Sequence, residues 1–105
     1  MGVVNKPLLE EAREIFTGLG YTVTDLGSEL RAERKWRIVY VTTDDPSEVT
    51  EDVDLRCFVA SEDRASRLRE RLLDRGPDYD WAVVSVAEDG AYDVLHPQSS
   101  QALPS

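Results

Sequence analysis

The stretch "SELRAERKWRIVYV", residues 28–41, decides how the rest of the chain is read. It sets two acids, four bases and a tryptophan beside a near-continuous apolar run. Leu30 and Ala32 alternate with Arg31 and Glu33, the period of a half-buried strand. From Ile38 onward "IVYV" is apolar on both faces, as in a central strand. Residues 30–43 are therefore either two strands turning near Arg34-Lys35 or one long bent strand. The hairpin is the preferred reading, although no Gly, Asn or Asp supplies its turn.

On the amino side, "PLLEEAREIFTGL" (7–19) puts Leu8, Leu9, Ala12, Ile15, Phe16 and Leu19 in one helical stripe. Asn5 can cap this helix, and Glu10 and Glu11 favour its positive end. Gly20 sits where a left-handed residue ends a helix, and "YTVTD" after it reads as a strand joined through "LGSE" to residues 29–34. On the carboxyl side, "TTDDPSEVTEDVD" is a polar loop with six acids and a proline, with room for one helical turn. "LRCFVA" follows as a short strand. Ser61 is placed to cap a helix over 62–75 whose inner face carries Ala65, Leu68 and Leu72, with Leu73 beside them. Gly76-Pro77 ends that helix, "WAVVSVA" is a second two-face strand, and "EDG" turns it into "YDVLH".

The predicted order is α-β-β-β-loop-β-α-β-β, an α+β fold in two layers. One mixed, mostly antiparallel sheet of about five to six strands carries both helices on one face. The strand–helix–strand unit should be a parallel crossover, and the hairpins make the rest antiparallel. Residues 1–96 form one domain, and 97–105, "PQSSQALPS", a flexible tail. The uncovered face should carry Arg31, Glu33 and Arg37 among Val and aromatic side chains. Such a face favours a protein partner, a symmetric homodimer above all.

Charge narrows the setting. The 105 residues hold 21 acids and 12 bases, a net −9, and ten of the bases are arginine. Self-repulsion of that size is relieved where salt shortens the Debye length to roughly 3 Å, at about 1 M. The composition therefore points to a molar-salt cytoplasm. No run approaches about 18 apolar residues, so no membrane span is expected. The first residues lack the charged and apolar regions of a signal peptide. The single Cys57 excludes an internal disulfide and a cysteine-cluster metal site. With "FTGLGYTV" (16–23) and "SELRAERKWR" (28–37) in a short acidic chain, the protein resembles a small family of conserved proteins of unknown function from extremely halophilic archaea. That resemblance covers most of the chain and implies no activity, cofactor or catalytic residue.

Several constellations bear on function. Asp25 followed by Glu33-Arg34-Lys35 matches the letters of the restriction-endonuclease-like superfamily, in which carboxylates hold Mg²⁺ beside a lysine. In that family the Glu-x-Lys closes an apolar strand, whereas here the apolar run follows Lys35. Nine of the twelve bases fall into two clusters, Arg31/Arg34/Lys35/Arg37 and Arg64/Arg67/Arg69/Arg71/Arg75. On the second helix Arg64, Arg67 and Arg71 share one row, and the guanidinium fork suits phosphate. Trp36 and Tyr40 offer stacking surface. Against a nucleic-acid reading, Glu62, Asp63, Glu70 and Asp74 interleave the row at pairing distance. The acidic loop lacks calcium-loop spacing. Cys57 reads as a buried hydrophobe, and nothing orients His96 toward it. No cofactor is expected. The preferred reading is a non-enzymatic chain acting by association. The alternative is a nucleic-acid-binding or regulatory accessory protein, and a metal-dependent nuclease is a distant third. The residues singled out are Arg31, Arg34, Lys35, Trp36, Arg37, Arg64, Arg67 and Arg71.

Overall fold

The computed structural model describes residues 6–27, 29–49 and 52–97. Helix α1 (Lys6–Gly18) turns Leu9, Ala12 and Phe16 into the core, with Leu8 and Ile15 half-buried beside them. Leu19 lies past the last turn and is left exposed. Asn5, the expected cap, falls outside the described residues, as do 98–105 of the expected tail. Gly20 stops the helix at φ 93°, a conformation that side chains resist. The Tyr21 N–H can then reach back to the Phe16 carbonyl at 3.0 Å, and the two rings meet edge to face.

Strands β1 (Thr22–Asp25), β2 (Glu29–Arg34) and β3 (Arg37–Thr42) form consecutive antiparallel pairs. Arg34 pairs with Arg37, so residues 30–43 are a hairpin turning on Lys35-Trp36 alone. Lys35 adopts φ 55°, a conformation costing roughly 1–2 kcal/mol for an L residue. That strain is how the turn closes without glycine. The acidic loop then makes a single 3₁₀ turn (Pro46–Glu48), capped by the Asp45 carboxylate accepting from the Ser47 N–H at 3.0 Å. Strand β4 (Leu55–Ser61), helix α2 (Glu62–Arg75), strand β5 (Asp80–Val86) and strand β6 (Tyr92–Leu95) complete the chain. Ser61 stands at the cap of α2 as expected, but its hydroxyl donates to Asp63 rather than serving as an acceptor for the helix. Gly76, left-handed at φ 59°, closes α2 by donating to Leu72 O.

The result is an α+β fold whose six-stranded mixed sheet runs in the order β1-β2-β3-β4-β5-β6. β4 and β5 are parallel, as the crossover through α2 requires. β3 and β4 are parallel as well, contrary to the expectation that only one such pair would form. The loop over 43–54 holds about the dozen residues a parallel return needs, so no helix is required there.

The expectation that both helices lie on one face is corrected. Strand register puts Leu30, Ala32, Val39, Val41, Cys57, Val59, Val84 and Val86 on one side, where α1 packs. Phe58, Ala60, Trp81 and Val83 point the other way and meet Ala65 and Leu72 of α2. The cause is the two-face apolarity of β4 and β5, which bury side chains on both sides and so need cover on both. Each fully buried large side chain, such as Phe58 or Leu72, contributes roughly 1.5–3 kcal/mol by leaving water. Leu73, expected to help the inner face of α2, is instead exposed.

Candidate interaction surfaces

The two helices cover different halves of the sheet. α1 contacts β1 to β4 on its face, and α2 contacts β4 and β5 on the other. Beyond the end of α1 a broad trough of about 1160 Å³ remains. Its apolar lining includes Leu19, Ala82, Val84, Tyr92 and Val94, of which Leu19, Tyr92 and Val94 are exposed. Arg34, Lys35, Trp36 and Arg37 border it from the hairpin tip, and Asp54 and Asp80 from the starts of β4 and β5. Trp36 is 94% exposed. A two-residue turn leaves its indole no neighbouring loop to pack against.

Arg31 does not join this group. Alternation sends it to the α2 face of β2, where it is half-buried and donates to Glu33 at 3.0 Å. The Tyr40 hydroxyl, and then Glu33, hold its guanidinium in the charged form. Of the first basic cluster, therefore, Arg34, Lys35, Trp36 and Arg37 share the tip and Arg31 stands apart.

Arg64, Arg67 and Arg71 do share a site. They line a crevice of about 350 Å³ together with Leu8, Thr43, Asp44, Asp45 and Val59. Arg71 donates to Asp45 at 3.1 Å, across from another element. Burial pushes the Asp45 carboxyl up, but the Ser47 hydroxyl and N–H and the Arg71 guanidinium together hold it below its ordinary value. The Ser61 hydroxyl lowers the Asp63 carboxyl, helped at longer range by Arg64 and Arg67. The two basic clusters do not merge. Arg37 begins β3 and Ser61 ends the parallel β4, so they lie at opposite ends of the sheet, roughly 25 Å apart along the strands.

The nuclease-like letters fall apart in space. Glu33 pairs with Thr22 and Asp25 with Leu30, so the two carboxylates occupy opposite faces of the hairpin. Asp25 lies 3.6 Å from Arg13 and Glu33 is engaged by Arg31. Among the described residues no group of three His, Cys, Asp or Glu side chains could hold a metal ion. Cys57 and His96 both line the trough, but β5 runs between their strands. Two strand spacings put them roughly 10 Å apart. Burial also pushes the Cys57 thiol up to about 12, so it is protonated and inert.

One charged group escaped the sequence reading. Arg56, on the central strand β4, is 1% exposed and donates to Glu29 at 2.7 Å. Its guanidinium lies 5.8 Å from the Tyr79 ring centroid. An arginine inside the apolar run "LRCFVA" was the visible clue.

The profile of a family of unknown function (DUF7116) matches residues 9–96. The chain belongs to that family. The matched span takes in all six strands and α2, and with them all of the trough and crevice lining but Pro97 and Leu8. No curated protein matches the chain, and no solved structure does. No helix among the described residues is long and apolar enough to cross a membrane.

Proposed function

We propose that this chain acts by protein association, and that its partner at the trough is a second copy of itself. The observation that carries this reading is the trough together with the 94% exposed Trp36 at its border. An exposed indole at a hairpin tip is among the side chains most enriched at the energetic centres of interfaces. Charge supports a self-complementary match. The tip carries Arg34, Lys35 and Arg37, while Asp54 and Asp80 border the same trough. In a two-fold pair each tip meets the partner's trough, so each cation cluster faces carboxylates and each Trp36 leaves water. The role that fits is structural or accessory, in a cytoplasm of high salt, where the net −9 is screened. The nucleic-acid reading has less support, because the two arginine clusters lie at opposite ends of the sheet.

Sedimentation equilibrium in about 2–3 M KCl, where long-range repulsion is suppressed, tests the proposal. The expected result is a particle of twice the chain mass that becomes a monomer on Trp36→Ala with its circular dichroism unchanged. A wild-type chain that stays strictly monomeric would overturn it.

A further inference from the structure

The crevice between the exit of β3 and the first turns of α2 opens at the carboxyl ends of two parallel strands. Open α/β sheets bind ligands at that edge. Its lining is two-sided in chemistry: Arg64, Arg67 and Arg71 are cationic, while Leu8, Val59 and Leu68 are apolar. The arginines are not consumed by their own helix. Glu62, Asp63, Glu70 and Asp74 stand at pairing distance along α2, yet among the described residues neither Arg64 nor Arg67 makes an ion pair. Arg71 takes its carboxylate from Asp45 across the crevice, which tethers it in place. Asp63 is taken up by the Ser61 hydroxyl at 2.6 Å.

We propose that this crevice binds a small phosphorylated ligand. Arg64 and Arg67 hold its phosphate, Arg71 is the tethered third guanidinium, and the organic part rests on Leu8, Val59 and Leu68. Guanidinium forks bind phosphate oxygens in pairs, and a volume of about 350 Å³ suits a ligand of mononucleotide size. The helix dipole adds little, because Glu62 and Asp63 already occupy the first turn of α2. The same carboxylates, with Asp44 in the lining, restrict the site to a small ligand. The second and third phosphates of a polymer would be set against Asp44, Glu62 and Asp63.

The full chain is titrated calorimetrically with inorganic phosphate and with adenosine 5′-monophosphate, at the lowest KCl concentration that preserves its folded circular dichroism. Both probes should bind saturably, the monophosphate at least tenfold tighter, about 1.4 kcal/mol. The Arg64→Gln/Arg67→Gln double variant should lose at least tenfold for both while keeping its fold. Arg75→Gln, on the same helix outside the crevice, should bind as wild type. Absence of saturable binding up to about 10 mM, weaker than any useful affinity, overturns the proposal, and so does an unchanged double variant. Equal affinity for the two probes removes the apolar contact. An oligonucleotide that binds more tightly than the monophosphate, with salt dependence growing with length, overturns the small-ligand assignment in favour of nucleic acid.

Discussion

Asp45 joins the β3–β4 loop to α2 through one carboxylate. It caps the 3₁₀ turn of the β3–β4 loop, accepts from the Ser47 hydroxyl, and tethers Arg71 of α2. Because its folded-state value lies below the ordinary one, the folded protein binds this proton more weakly than the unfolded chain does. The stabilisation is therefore complete above the unfolded value of about 3.9 and is lost as pH falls through the lowered folded value. Asp45→Ala should cost about 0.5–1 kcal/mol near neutrality, as a lost cap and a partly exposed ion pair together imply. Urea midpoints of the two proteins should draw together as the pH falls below the unfolded value of about 3.9, and a gap that stays constant would show that the charge contributes nothing. Asp45, directly before Pro46 and three residues before Glu48, carries the spacing of a cap, but its tether to Arg71 depends on where α2 returns across the loop, which spacing does not encode. The Arg64, Arg67 and Arg71 row, by contrast, was legible from helical spacing. That the acids between them would leave two of the three unpaired was not, because side-chain pairing depends on rotamers that spacing does not encode.

At the level of the element, β4 carries an unusual load for a central strand. Arg56 reaches from it across β3 to Glu29 on β2, tying three neighbouring strands on the α2 face. The pair is asymmetric: the Arg56 side chain is 1% exposed and that of Glu29 is 29%. Removing the acid takes a carboxylate away from a buried cation, whereas removing the base leaves a carboxylate that water can still reach. Glu29→Leu should therefore cost more, roughly 3–5 kcal/mol, than Arg56→Met, and the double variant should recover most of the loss. A double-mutant cycle by denaturant unfolding checks both the order and the recovery; additive losses would rule out the coupling. The elements themselves were largely legible. The stripe from Leu8 to Phe16 marked α1, and Gly20 and Gly76 marked both helix ends. The side on which each helix would pack was not legible. Runs such as "LRCFVA" state that both faces are buried without saying which helix buries which.

For the molecule as a whole, the 21 acids against 12 bases set a global field that no single pair offsets. If the fold is held against its own repulsion by screening, the thermal midpoint should rise steadily with KCl and continue rising above about 1 M, where the Debye length is roughly 3 Å. A midpoint that is flat across the series would argue against a molar-salt setting. The open trough also belongs to this scale. It exists because α1 crosses only part of a six-stranded sheet, a mismatch of areas that no local pattern in the chain announces. Strand order has a further consequence. Neighbours in the sheet are neighbours in sequence from β1 to β6, so no strand has to be inserted between two that are already paired. Each new pairing closes only the segment between consecutive strands, the longest of which runs through α2. Loop-closure entropy is thus met one strand at a time, and the two parallel returns, through the 43–54 loop and through α2, are the costliest closures.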